Sequence, residues 1–365
     1  MLSERKHVRL GGVPNRSFSG TLVDSMGRNL VKGKLEQVLR HYPLGQLIGA
    51  QRVQKGFANE HWMLTTARGR FFLKRRDPGL GHLHIIRTQH RLIDHLRRVA
   101  FPAPRIVPTT ESHSLFILHG AWYEMQEYID GGPYNRHRPS HLKEAAITLG
   151  RYHRDVLGFA PQVLRSLGGL YTPPIIRSHL AKLMDWWGID RDPEPAEMAA
   201  RLNTEIADLA ARFAAHGALH QLVIHGDYYA GNLIFEGDRI VGVVDYDKAR
   251  WQPRIAELAG ALIYFASPRP GYMKRIVYPG VLNWEPFSLF LESYCQLQSL
   301  DANEIQALPD YVEGIWLSMS LRRLWERESH PDHGVEALAE VLSLADWAKA
   351  NADQMIELGC AAGPK

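Results

Sequence analysis

Near the middle of the chain, His225-Gly226-Asp227-Tyr228-Tyr229-Ala230-Gly231-Asn232 is followed by two short β-forming runs and then by Asp245-Tyr246-Asp247. The runs, 233–236 and 239–244, flank Gly237-Asp238, a dipeptide suited to a tight hairpin turn. A hairpin turning there sets opposite one another residues whose numbers sum to about 475, which returns Asp245 beside Ala230 to Asn232. Two carboxylates and one amide then converge at one end of the hairpin. Carboxylate and amide oxygens, gathered without cysteine and with few histidines, are hard donors that suit magnesium rather than zinc. A magnesium site of this kind points to a phosphate-bearing ligand.

The same segment resembles the aminoglycoside phosphotransferase and choline kinase superfamily. Its pattern H-G-D-x-x-x-x-N, a hairpin and D-x-D/E is matched by His225, Gly226, Asp227, Asn232, Asp245 and Asp247, and the likeness runs over roughly residues 35–350. It implies an α+β, two-lobed protein-kinase-like fold: an N-terminal antiparallel sheet plus one helix, a hinge near 126–132, and a mainly helical C-terminal lobe carrying the catalytic hairpin. It further implies ATP and Mg2+ as cofactors and transfer of the γ-phosphoryl group to a hydroxyl of a small polar molecule. Carried over position by position, Asp227 aligns the acceptor hydroxyl and takes its proton. Asn232 and Asp245 hold the magnesium ions, and His225 braces the loop by hydrogen bonds without touching substrate. Asp247 matches an acidic position whose role is less defined. Pro253 to Ala259 matches a segment that usually ends D-L-A; Glu257 stands at the acid and is expected to tie its helix to the catalytic loop.

The N-terminal half carries a second set of matches. Gly56-Phe57-Ala58-Asn59 resembles the G-x-x-N loop that covers the nucleotide phosphates in homoserine-kinase-like members. Lys74 ends a strand where the superfamily places the lysine that pairs the α- and β-phosphates, with Arg75 and Arg76 as competitors if the register shifts. The lysine's helix partner in the superfamily is a glutamate, and aligning residues 92–96 puts Gln89 there, able to hydrogen-bond the lysine but not to neutralise it. Some spore-coat-associated kinase-like proteins also lack that glutamate, and Tyr123 to Gly131 resembles them too. Gln89 therefore keeps open a non-catalytic nucleotide-binding pseudokinase or scaffold. A protein kinase is the other alternative, opposed by Gly226 where protein kinases carry arginine, by Asp245-Tyr246-Asp247 in place of D-F-G, and by the lack of A-P-E. Glu127 and Tyr128 fall at the hinge, where main-chain groups bind adenine.

These residues must be positioned by recognisable elements. Leu35, Val38, Leu39 and Tyr42 repeat at helical spacing over 33–42. Segments 46–54, 61–66 and 70–74 read as antiparallel strands with a turn at Ala67-Arg68-Gly69, 82–98 as a helix, and 105–108, 115–118 and 121–129 as further strands. After Gly131-Gly132-Pro133 the period becomes helical in 140–157, 175–187, 196–216, 284–298, 311–328 and 333–355, with the hairpin as the one β interruption. The expected division is a flexible tail over 1–29, a nucleotide lobe over 30–130, a catalytic and substrate lobe over 131–355, and a tail over 356–365.

Composition narrows the classes. Of 365 residues, 45% are hydrophobic, enough for one large or two medium cores, which excludes disorder. A net charge of only +4 carries no nucleic-acid signature, no apolar run is long enough for a membrane span or signal segment, and two cysteines suit a reducing compartment, so a cytoplasmic protein is expected. No zinc-protease, nucleophile-elbow or P-loop motif occurs. His82, His84, His90 and His95 read as a solvated helix face. Trp186, Trp187, Tyr228, Tyr229, Trp251 and Tyr171 suit either a cation cage or core packing, and Asp185, Asp190, Asp192, Glu194 and Glu197 either a polyamine or helix ends. Homoserine and related amino alcohols lead the acceptor classes because Leu35 to Lys74 looks most like those kinases; aminoglycosides, choline-like amines and sugars follow. A carboxylate-bearing acceptor would need an arginine from Arg151, Arg154, Arg250 and Arg254.

Overall fold

The computed structural model describes residues 33–53, 60–76, 82–188, 193–268, 282–326 and 334–363. The expected tail over 1–29 and the loop residues Gly56 and Asn59 lie outside the described residues.

The N-terminal part is an antiparallel sheet built around β3 (Gly69–Arg76). Strands β1 (Leu47–Val53), β2 (Glu60–Thr66), β3, β6 (Ala121–Glu127) and β4 (Ile106–Val107) lie side by side in that order, and β5 (Phe116–Leu118) pairs the opposite end of β6. Helix α1 (33–39) closes one face by packing Leu35, Val38 and Leu39 against Leu64, Leu73 and Met125. These apolar positions follow the 3.6-residue repeat on the helix and the two-residue repeat on the strands, the periods that put them on one face each. Helix α2 (Leu83–Arg98) turns Leu92, Ile93 and Leu96 into the main core and carries Gln89 and His90 buried. The solvated-face expectation thus fails for His90, which hydrogen-bonds a buried carboxylate.

The helical part packs α3 (Pro139–Asp155), a short α4 (Gln162–Arg165), α5 (Pro173–Trp187), α6 (Pro193–Ala215), α7 (Arg254–Ala266), α8 (Trp284–Cys295), α9 (Ala302–Glu326), α10 (Gly334–Ala350) and α11 (Ala352–Ala361). Leu317, Leu321 and Leu324 of α9 share a core with Ile176, Leu180, Leu202, Ile206 and Val341 from α5, α6 and α10. Residues 356–361 are no tail: α11 continues through them and buries Met355 and Gly359, because a helix with an apolar stripe docks rather than frays.

Two small sheets sit among the helices. The hairpin pairs β8 (Leu233–Glu236) with β9 (Arg239–Val243), turning at Gly237 as its φ of +58° allows. The second, β7 (Gln221–Ile224) with β10 (Arg250–Pro253), is not foreseen by the sequence reading, and helix α7 is foreseen only through the resemblance around Glu257. Each strand of this second sheet is four residues long, too short for a period-2 pattern, and the pair is brought together by everything folded between them. Together the two sheets pin both ends of the 225–232 loop.

Candidate active site

The loop between β7 and β8 is held from below by one carboxylate. Glu257 on α7 accepts from the backbone N–H of His225 at 3.0 Å through Oε2 and of Gly226 at 2.7 Å through Oε1. His153 bonds Glu257 Oε2 at 3.0 Å and is braced in turn by the Tyr294 hydroxyl at 2.8 Å. His225 is fully buried; its Nδ1 accepts from the Asp227 N–H at 3.3 Å, which leaves Nε2–H to donate to the Val244 carbonyl at 3.1 Å. One imidazole thus ties the loop to the strand that delivers Asp245. Gly226 has φ +78°, and a Cβ there would lie 2.4 Å from the Lys248 carbonyl oxygen, so only glycine lets the two segments cross.

Above this scaffold the three hard donors meet. The Asn232 amide nitrogen donates to the Asp227 carbonyl at 2.9 Å and to its carboxylate at 3.3 Å, and the Val244 N–H donates to the Asn232 carbonyl at 3.0 Å. Asp245, next in line, adopts a left-handed backbone with φ +72°, a conformation aspartate tolerates better than most residues, and its carboxylate turns toward the sheet.

There it meets Lys74. The buried ammonium bonds Asp247 Oδ2 and reaches Asp245 Oδ1 at 3.3 Å. Arg76, two residues on and so on the same strand face, grips Asp247 Oδ1 and Glu124 Oε2, the latter at 2.8 Å. Arg75 points to the other face and pairs with Glu60. Glu124 lies directly across the sheet from Lys74 and also takes His90 at 3.0 Å. Burial opposes the charge of Lys74, but Asp247, Asp245 and Glu124 outweigh both burial and Arg76 and raise its pKa above the ordinary lysine value. Burial likewise works against Asp247 and Glu124, yet Lys74 and Arg76 hold Asp247 below the usual carboxylate range, and Arg76, His90 and Lys74 hold Glu124 well below it.

Gln89 does not touch Lys74. Its Nε2 donates to the Asp247 carbonyl at 2.8 Å. The acid expected on the helix is supplied instead by Asp247 from the loop after Asp245, and Gln89 supports that loop.

A sequence profile of the phosphotransferase enzyme family matches residues 49–278, more than half of the chain and the span that holds all of these residues except Tyr294. The chain belongs to this family. It is 23% identical over 302 residues to a homoserine kinase of Sinorhizobium medicae, covering 82% of this chain and 85% of that one. In fold it is similar to amicoumacin kinase hAmiN, solved with AMP-PNP, Ca2+ and Ami, with a TM-score of 0.62 at 14% identity over 91% of this chain and 95% of that one. A microcompartment-associated aminopropanol kinase superposes with a TM-score of 0.61 at 14% identity, covering 89% and 98%. These neighbours share the protein-kinase-like architecture seen here, a sheet-rich N-terminal part and a mostly helical remainder.

In this phosphotransferase the hinge residues Glu127 and Tyr128 continue the sheet. The N–H of Glu127 donates to Arg105 and that of Tyr128 to Arg70, at 2.9 and 3.2 Å, because the pairing of β6 carries on past its last ladder residue. Both N–H groups are thus engaged within the sheet. The aromatic cage does not assemble: the Tyr228 hydroxyl is bonded to the Ala145 carbonyl at 2.8 Å, the Trp251 ring is covered by Arg165 at 3.7 Å, and Trp186 faces solvent. Asp185, Glu194 and Glu197 are exposed, while Asp190 and Asp192 lie outside the described residues.

Lys248 and Glu124 escape the sequence reading, which names Arg76 only as a competitor for the place of Lys74. Lys248 bonds Asp227 Oδ1 at 2.7 Å, and nothing in its surroundings in the sequence marks it. Glu124 could have been found as the lone acid in the middle of an apolar strand, and Arg76 by its two-residue offset from Lys74.

Proposed function

We propose that this phosphotransferase moves the γ-phosphoryl group of ATP, with magnesium, to the hydroxyl of a small polar molecule, with amino alcohols first among acceptors. The observation that carries the reading is the convergence of Asp227, Asn232 and Asp245 at one end of the hairpin, against a buried Lys74. The residues fit a divalent cation: Asp245, Asp247 and Glu124 present three carboxylates to two strong cations, Lys74 and Arg76, and Asp245 is the most exposed of the three acids, with 39% of its side chain accessible. Asp245 and the Asn232 oxygen are the hard donors that would hold magnesium, which when bound there screens phosphate charge.

The chain's own groups then have definite tasks. Lys74 exchanges part of its contact with Asp245 and Asp247 for phosphate oxygens. The acceptor hydroxyl sits against Asp227, whose carboxylate takes its proton as the acceptor oxygen bonds to the γ-phosphorus. The bond from that phosphorus to the bridging oxygen breaks, and its electron pair leaves on ADP. His225 and Glu257 hold the loop still through this change. A scaffold without activity loses its motive, since Asp247 supplies the acid that Gln89 lacks. The homoserine kinase names among the relatives favour a small acceptor over a protein. No described helix is long and apolar enough to cross a membrane, and both cysteines are free thiols, which supports the cytoplasm as the place of work.

ADP release with ATP and magnesium, across amino alcohols, sugars and aminoglycosides, tests the reading. Asp227→Asn is expected to lower the acceptor-stimulated rate about 10²- to 10⁴-fold with ATP binding retained. A protein that neither binds nor turns over nucleotide would sink the proposal.

A further inference from the structure

Of the four arginines available to a carboxylate-bearing acceptor, the structure removes three. Arg254 is locked onto both oxygens of buried Glu304, whose neighbours His220 and Asp301 complete an acidic group that is thereby accounted for. Arg151 and Arg154 both pair with Asp155 on the far side of α3. Arg250 remains, and it is unlike the others.

Arg250 opens β10 and pairs across the small sheet with Ile224, the residue before His225. Its Nε donates to the Lys248 carbonyl and one Nη1–H to the Gly168 carbonyl, each at 3.0 Å. Those two bonds fix the guanidinium plane and leave three of its five N–H groups, the number a bidentate carboxylate contact can use with one to spare. Among the described residues Arg250 pairs with no carboxylate. Burial without an acid beside it pushes the guanidinium below its ordinary pKa, whereas Arg76 and Arg254 are raised by theirs. A half-buried cation kept without a counter-ion is costly unless something else supplies the anion.

The surroundings say where that anion sits. Tyr171 is pushed up to about 12 by burial and then by the Asp227 carboxylate, and pulled back by Arg322 and Arg250, so one tyrosine feels both the Asp227 carboxylate and the Arg250 guanidinium. The Lys248 whose carbonyl anchors Arg250 also bonds Asp227 through its ammonium. Both hydrogen-bond partners of Arg250, the carbonyls of Lys248 and Gly168, belong to the helical part. We propose that Arg250 binds an anionic group of the acceptor, a carboxylate, while the same molecule's hydroxyl lies on Asp227. The acceptor class is therefore a small hydroxy acid or hydroxy amino acid rather than a polyamine or quaternary amine. This rests on the phosphotransfer reading of the site and names its substrate class.

Matched acceptors test it. L-Homoserine and 4-hydroxybutyrate are compared with L-homoserine amide and 3-aminopropanol in the ADP-release assay, for the wild type, Arg250→Gln and Arg250→Lys. A carboxylate member is expected to exceed its uncharged or amine counterpart about 10- to 100-fold in kcat/KM, the range of a charge-assisted contact. Arg250→Gln should collapse that ratio through KM for the acid, and Arg250→Lys should restore part of it. Equal turnover of the pair, or a ratio that survives in Arg250→Gln, overturns the proposal. So does an equal fall in kcat for both members, which would assign the guanidinium to the transferring phosphoryl group. A second arm needs no turnover. Millimolar malonate should raise the melting temperature of the wild type and not of Arg250→Gln, and equal shifts in the two proteins overturn the proposal. If no acceptor releases ADP and no nucleotide binds, the phosphotransfer reading fails while the malonate arm still decides whether Arg250 holds an anion.

Discussion

On the sheet side of the catalytic loop, Lys74 and Arg76 are closed in by Asp247, Asp245 and Glu124, each cation touching two carboxylates. On the helical side Lys248 rests half-exposed on Asp227, and among the described residues Arg250 has only carbonyl oxygens for partners. In the first cluster both buried cations are compensated, with Asp245 as the exposed surplus acid, so removing the shared Asp247 strands charge away from water. The second is accessible and incomplete, so its members are free to answer to a ligand at little cost to the fold.

The comparison breaks most visibly at Asp247. Asp247→Ala leaves Lys74 and Arg76 without their shared acid, and a loss of about 3 kcal/mol in unfolding free energy by denaturant titration is expected. If stability is unchanged, the sheet-side cluster is not the compensated unit described.

Lys248→Met should do the reverse. Its ion pair is partly exposed, so stability should move by less than about 1 kcal/mol. Release of Asp227 from its anchor is expected to lower kcat about 10- to 100-fold with KM for ATP unchanged, read from steady-state kinetics. A large drop in melting temperature without a kinetic effect would erase the contrast.

Gln89→Glu sharpens the sheet side further. A glutamate cannot donate to the Asp247 carbonyl and adds a fourth acid to the cluster, so a loss of about 1–2 kcal/mol is expected rather than a gain. Stabilisation, with tighter nucleotide binding, would restore the helix as the lysine's proper partner.

The smallest effect is on pH dependence. Glu124 and Asp247 ordinarily titrate at 4.5 and 3.8, and both are held lower in the folded chain. Their stabilising contribution is therefore present above those values and is lost as pH falls through the depressed folded ones. Glu124→Gln should give a shallower acid-side decline of unfolding free energy below about pH 4.5 than the wild type. Lys74, raised above its ordinary 10.5, adds stability that fades only at higher, alkaline pH.

Much of the fold is legible in the chain. The strands around Lys74, helix α2 and the hairpin follow from apolar period and turn residues, since each is specified by neighbours a few positions away. The β7–β10 sheet is not, because four-residue strands separated by an entire loop and hairpin carry no period. In the site, Asp227, Asn232 and Asp245 converge as hairpin geometry requires, and Lys74 arrives from the sheet. Gln89 is placed on the correct helix face but with the wrong partner, the Asp247 carbonyl in place of Lys74.

What the sequence alone determined is the identity and local spacing of the proposed reacting groups: an aspartate base, two hard donors and a strand lysine, each set by short-range order. Only the tertiary structure decided which charges are satisfied. Asp247 lies 173 positions from Lys74, and Arg250 lies among three other arginines equally plausible on paper. Pairing is a matter of distance and desolvation in space, and linear order carries neither.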